Sequence, residues 1–155
     1  MMTVSDLLRE KGTAVWAVRP DATVFEALEL MAEKNIGAVL VLDDGRLVGI
    51  MSERDYARRV ILMGKSSRET AVSEIMTARV LCVRVRQTVA ECMALMTEKR
   101  VRHLPVLDDA GHLAGLVSIG DVVKAVIAQQ EFTITNLERY ITGAGISSYP
   151  AFPSY

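Results

Sequence analysis

Apolar residues along this chain switch between helical and strand spacing, and the same succession of switches is written twice. Val24, Ala27, Leu28 and Met31 recur at the steps that line one face of a helix, and Thr23 with Glu26 supplies the Thr-x-x-Glu capping box that opens it. The runs AVLVL and LVGIM come on either side of Asp43-Asp44-Gly45-Arg46, a pattern that predicts a hairpin with an Asp-Gly turn. Both runs are too apolar for half-solvated strands, so their two faces should be covered. Ser52-Glu53-Arg54-Asp55 then reads as a second helix start, running through YARRVILM and stopping at Gly64, a natural residue for the left-handed position after a last turn. With VWAV from Val15 to Val18 as an opening strand, the unit is strand, helix, strand, strand, helix.

Sliding the chain against itself shows the second copy. VSDLL pairs with VSEIM from Val72, VWAV with VLCV from Val80, and TVFEALELMAEKNIGAVLVLDD with TVAECMALMTEKRVRHLPVLDD from Thr88 without a gap. One inserted residue, Ala110, brings GRLVGIMSERD into register with GHLAGLVSIGD. The expected division is 4–66 for the first repeat, 67–130 for the second, and 131–155 for a C-terminal helix and loosely ordered tail. In that extension Ile134, Leu137, Tyr140 and Ile141 mark an amphipathic helix for packing on its own module or a partner, and Pro150 and Pro153 interrupt any regular element in the tail.

Composition narrows the partners. The 155 residues are 50% hydrophobic and 24% charged with a formal net charge of -1, which offers no basic field for nucleic acid. No apolar run reaches a membrane span and the N-terminus lacks a signal peptide's apolar stretch, so the expected location is cytoplasmic. Cys82 and Cys92 lie in apolar-patterned segments at no metal or redox spacing and read as small buried hydrophobes, without a metal site.

The order of elements, the paired TVxEAxxxM and GxxSxxD segments and their tandem arrangement resemble a pair of CBS domains, also called a Bateman module, over nearly all of residues 4–130. The resemblance implies an α+β fold of two tandem β-α-β-β-α repeats packed with pseudo-twofold symmetry, with adenine nucleotides bound in clefts between them and further pairing into a homodimer. Leu30 and Leu95, apolar beyond the stripe that the sheets need, fit such a dimer.

Ser52 with Asp55, and Ser118 with Asp121, suit a helix cap with an acid at its third position. The same start presents unpaired N–H groups beside a hydroxyl, where a phosphate fits, and a carboxylate that accepts from both hydroxyls of a ribose. The two readings are compatible, and the resemblance adds the second, since residues matching these four contact phosphate and ribose in CBS pairs. The copies differ between Ser and Asp: Arg54 grips a longer phosphate chain, whereas Ile119-Gly120 lets backbone approach a single phosphate. For the adenine ring the resemblance points to the helix-to-strand joins and the first strands. These contain Ile36, Gly37 and Ala38; Arg102, His103, Leu104 and Pro105; Thr13, Val15 and Trp16; and Thr77, Val80 and Cys82. Pro105 in a strand implies an edge or interrupted ladder. His103 has no partner at ligand spacing and reads as a cleft wall or phosphate donor; Arg102 is a phosphate ligand or a solvated charge.

GKSS from Gly64 is no P-loop, because Arg59 stands where the earlier glycine belongs and a helix precedes it. No Gly-x-Gly-x-x-Gly turn occurs, and no nucleophile and base are placed together. Three function classes remain open: a non-catalytic sensor of adenine nucleotides (AMP, with ATP or NAD(H) as alternatives) acting on an unidentified effector protein; a ligand-free dimerisation module; and a nucleotide-processing enzyme.

Overall fold

The structure, a computed structural model, describes residues 1–143; the tail expected beyond them, with Pro150 and Pro153, lies outside the described residues. Helix α1 (Val4–Lys11) leads into β1 (Ala17–Val18), α2 (Val24–Lys34), β2 (Ala38–Asp43), β3 (Arg46–Ser52) and α3 (Glu53–Tyr56), which continues as a π-helical turn over Ala57–Ile61. The second half repeats the order with α4 (Val72–Ile75), β4 (Val83–Arg84), α5 (Val89–Lys99), β5 (His103–Leu107), β6 (Leu113–Ser118) and α6 (Ile119–Gly143). Each half forms a three-stranded sheet in which a short parallel strand and an antiparallel partner flank the central β2 or β5.

Local chemistry accounts for most boundaries. Thr23 and Thr88 form complete capping boxes with Glu26 and Glu91 at the starts of α2 and α5. The β2–β3 hairpin turns through Asp44 and Gly45, both at positive φ, as a two-residue turn of this hand requires. Gly64, at φ +69, ends the helical path after β3 as its position predicts. The opening strands are shorter than VWAV and VLCV suggest, because only their last residues reach a ladder; residues 13–16 and 77–82 precede it as non-strand chain.

The leading helices are exchanged. Val4, Leu7 and Leu8 of α1 lie in the core of the second half with Val83, Val89, Leu104 and Val117, whereas Val72 and Ile75 of α4 complete the first half's core with Val24, Val39 and Met51. This arrangement explains the glycine that opens each doubled motif. A Cβ on Gly115 would stand 2.8 Å from Leu8 Cδ2, and one on Gly49 would meet the Met76 side chain and, at 3.2 Å, the Thr77 carbonyl. Leu8 and Met76 hold equivalent places in the two copies, so each half gives the other the same wedge. The units of packing are therefore not contiguous in sequence.

Leu30 and Leu95, which the pattern leaves as surplus apolar surface, pack against their own halves' cores. The apolar surplus lies on α6 instead. That helix runs unbroken past residue 130, and Phe132, Ile134, Leu137, Tyr140 and Ile141 are exposed along it. Among the described residues, none covers this face.

Candidate functional site

Both Ser-x-x-Asp segments open into one cleft of about 700 Å3 between the two halves. Ser52 and Asp55 form a reciprocal cap: Asp55 N donates to Ser52 Oγ (3.2 Å), and Ser52 N and Oγ donate to Asp55 Oδ2 (2.9 and 3.0 Å). Ser118 and Asp121 repeat the backbone part, with Ser118 N to Asp121 Oδ2 at 2.9 Å and Asp121 N to Ser118 Oγ at 3.2 Å. The first helical N–H of each motif is also taken, Glu53 N by Gly37 O (3.1 Å) and Ile119 N by Arg102 O (2.8 Å). Among the described residues, the N–H groups of Arg54 and Gly120 are the first-turn donors left to a ligand. Capping thus uses Oδ2 of Asp55 and leaves Oδ1 with only a long 3.5 Å contact from Thr77 Oγ1.

The structure brings Ile36, Gly37, Ala38, Thr77, Val80, Arg102, His103, Ile119 and Gly120 to the same cleft, beside Ser52, Arg54, Asp55, Ser118 and Asp121. Six residues assigned there by resemblance lie elsewhere. Leu104 alternates to the face of β5 opposite His103 and is fully buried in the second core. Pro105 lies farther along β5, and Cys82 lies just before β4, half-buried with Sγ 3.7 Å from Val80 O. Thr13, Val15 and Trp16 are not among the residues that line the cleft; Trp16 instead packs under Lys34, 4.3 Å from the ring centre. Pro105 is also not in an edge strand. It sits in the central β5, where it has no N–H to donate and the parallel ladder with β4 starts only at the next residue, Val106.

Sequence reasoning missed several cleft residues, chiefly Lys11, Arg79, Arg100 and Glu53. Arg54 Nη1 donates to Arg100 O across the halves (3.3 Å), and Arg100 takes the left-handed conformation (φ 54) at the place Asn35 takes in the first copy. Arg100 could have been found from that alignment with Asn35, which marks the helix-to-strand join. Lys11 could not, since it comes from the exchanged helix: its Nζ donates to Asp121 Oδ2 (2.5 Å) and to Leu116 O (2.8 Å). Burial tends to raise the Asp121 pKa, but the Lys11 and Ser118 hydrogen bonds outweigh it and hold the carboxyl below its usual range. Burial lowers the pKa of His103 against the pull of Asp121 and Glu53, so its ring is neutral near pH 7. His103 also spans the halves: a Cβ on Gly37 would lie 3.7 Å from its Cε1.

Comparison with known proteins agrees with this architecture. The sequence profile of the CBS domain matches residues 4–62 and again 72–128. The chain is 40% identical over 151 residues to the mitochondrial CBS domain-containing protein CBSX3 of Arabidopsis thaliana, covering 91% of this chain and 72% of that one. A putative signal-transduction protein with CBS domains from Burkholderia ambifaria is similar in structure, with TM-score 0.80, 53% identity, and 83% and 96% of the two chains covered. CBSX2, solved in complex with AMP, matches with TM-score 0.67 and 29% identity over 84% of this chain and 99% of its own.

Proposed function

The chain belongs to the CBS-domain family, and from that premise we propose that it is a regulatory module that binds an adenine nucleotide between its repeats and performs no chemistry on it. AMP is the ligand we assign first, with ATP and NAD(H) as alternatives of longer phosphate chain. The observation that carries this reading is the convergence of both Ser-x-x-Asp starts, one from each repeat, on a single cleft whose wall also bears Lys11, Arg54, Arg79, Arg100 and Arg102. A volume of about 700 Å3 suits a nucleotide-sized ligand. The cleft offers two half-sites: at the first, Asp55 Oδ1 accepts from the ribose diol and the Arg54 N–H meets phosphate; at the second, Asp121 and the Gly120 N–H take the same parts. Nearby guanidiniums add to the phosphate contacts, and Ile36, Ile50, Val80 and Leu116 flank the base. The AMP complex of CBSX2 supports the ligand class. Gly120 answers to no crowding from the protein, since a Cβ there would meet only Ser118 Oγ at 3.6 Å; its smallness serves the approach of a ligand. Arg54 in the equivalent place favours the more highly charged ligand at the first motif.

His103 is the cleft residue that invites a catalytic role. Around His103 lie Glu53, Asp121, Lys11 and Arg102, and among the described residues no serine or cysteine is hydrogen-bonded to it. The module then reports nucleotide levels to an effector protein, in the cytoplasm, by changing shape or partner. Denaturing the purified protein and identifying the released nucleotide by mass spectrometry, followed by calorimetric titration with AMP, ATP and NADH, tests the proposal. Absence of a copurifying nucleotide together with no heat from any of the three overturns it, and conversion of ATP or NADH on prolonged incubation overturns its non-catalytic part.

A second reading, a homodimerisation module, is favoured by the exposed apolar face of α6, where Phe132 is 69% and Tyr140 81% exposed. Light scattering that returns the 17.0 kDa monomer across micromolar concentrations removes it.

A further inference from the structure

The two motifs are satisfied by different chemistry, although they are equivalent in sequence. At the first, neutral donors serve. Thr77 N donates to Ile50 O (2.9 Å), Ile50 N donates back to Thr77 O (3.0 Å), and Thr77 Oγ1 reaches Asp55 Oδ1 at 3.5 Å. Leu116 and Asp121 are the counterparts of Ile50 and Asp55, and there a single ammonium does both tasks: Lys11 Nζ donates to Leu116 O and to Asp121 Oδ2. Lys11 is placed by the exchange of helices, as the last residue of α1, one turn beyond the Leu8 wedge on Gly115. Its side chain is 32% exposed and that of Asp121 23%, so the pair stands on the cleft wall and is open to competition.

We propose that Lys11 makes the second half-site selective for phosphorylated nucleosides: its ammonium neutralises Asp121 through Oδ2, the oxygen that also caps the helix, and turns to the phosphate of a ligand whose ribose takes Oδ1. The inference rests on the nucleotide reading of the cleft. A neutral nucleoside donates from its ribose to a carboxylate whose charge Lys11 already draws off, whereas AMP brings a second anion that takes Lys11 and leaves the carboxylate to the ribose. Ribose and phosphate are therefore recognised jointly, through one displaced side chain. The first half-site has no such interlock, because Thr77 loses only a long hydroxyl contact.

The test uses AMP and adenosine in calorimetric titrations of the full chain carrying Asp55→Asn, which weakens the first half-site, with Lys11 intact, Lys11→Met or Lys11→Arg. With Lys11 intact, AMP is expected to bind well and adenosine poorly. Lys11→Met should raise adenosine affinity and lower that for AMP, shrinking the AMP-to-adenosine ratio by about tenfold or more, while Lys11→Arg keeps the preference. An unchanged ratio in Lys11→Met, with AMP still bound, overturns the role of Lys11 and leaves the nucleotide site standing. Loss of both ligands in Lys11→Met alone, with the ligand-free melting temperature also lowered, shows a merely structural lysine and overturns it too. Failure of AMP to bind any of the proteins, the unsubstituted chain included, sinks the nucleotide reading itself and this inference with it.

Discussion

Replacing Asp55 by Asn should separate binding from folding, because the two oxygens of this carboxylate are used differently. Oδ2 accepts from Ser52 N and Oγ at 2.9 and 3.0 Å, while Oδ1 has only the 3.5 Å contact from Thr77. An amide keeps its one oxygen for Ser52 and turns its NH2 toward the cleft. The cap then survives without its charge, at a cost of about 0.5–1 kcal/mol, or roughly 1–4 °C in melting temperature for a chain of this size. The ribose fares worse. A diol meets a donor where it needs an acceptor and loses at least one charge-assisted hydrogen bond, about 1.5–3 kcal/mol, so AMP affinity at this half-site should fall on the order of ten- to a hundredfold. By the same reasoning the unsubstituted protein should prefer AMP to 2′-deoxy-AMP by a similar factor, and Asp55→Asn should scarcely distinguish them. Calorimetric titration with both nucleotides, beside melting curves without ligand, reads each quantity. Equal affinity for AMP and its deoxy form in the unsubstituted protein, with the variant losing only melting temperature, would show that Asp55 is a cap and nothing more.

Gly115→Ala should destabilise by about 1–2 kcal/mol, since the new Cβ lies 2.8 and 3.1 Å from the two Leu8 methyl carbons and rotating that side chain clears one at the expense of the other. Denaturant unfolding checks this, and the penalty should shrink in combination with Leu8→Ala; an additive double variant refutes the wedge. His103 sets a pH dependence. Its folded pKa lies below the ordinary 6.5, so the unfolded chain binds more protons, and stability present above pH 6.5 is lost as the pH falls from there toward the folded value. Melting curves through that window should flatten in His103→Gln, and a slope unchanged by the substitution assigns the effect to another group.

The repeat makes the fold legible from sequence, and local chemistry makes its boundaries so. Capping boxes at Thr23 and Thr88, the Asp44-Gly45 turn and the Gly64 stop depend only on neighbours within a few residues, which a single sequence displays. What stays hidden depends on contacts between distant segments. The destination of α1 and α4 is one case: VSDLL and VSEIM are visibly a pair, but nothing in either says that each completes the other half's core. The cleft inherits that blindness. Residues 13–16 enter the expected site by resemblance, together with 77–82; Thr77, Arg79, Val80 and Leu81 line it, but in the first half the exchanged α1 brings Lys11 there instead. Leu104 fails for a simpler reason, strand alternation, which the neighbouring His103 makes foreseeable.

Two departures from strict equivalence of the halves bear on the second half-site in particular. In the first half Leu40 N donates to Trp16 O at 3.0 Å, extending the parallel ladder beyond β1. Pro105 occupies the matching place and has no N–H to give, so Leu81, the counterpart of Trp16, keeps its carbonyl out of the ladder and lines the cleft. Trp16 does not. A base entering beside Val80 and Leu81 therefore finds a backbone acceptor that the first half has already consumed, and the exocyclic amine of adenine is a donor suited to it. On the opposite wall the ribose acceptor Asp121 is held by Lys11. On the nucleotide reading proposed above, one substitution opens an acceptor for the base while the other draws charge from the acceptor for the sugar, so the second half-site would ask more of its ligand than the first: a donor on the ring, a diol and a phosphate together. Restoring the donor with Pro105→Leu should close the ladder, weaken nucleotide binding at the second half-site and raise the melting temperature without ligand. Nucleotide affinity unchanged in that variant would mean that the Leu81 carbonyl plays no part in recognition.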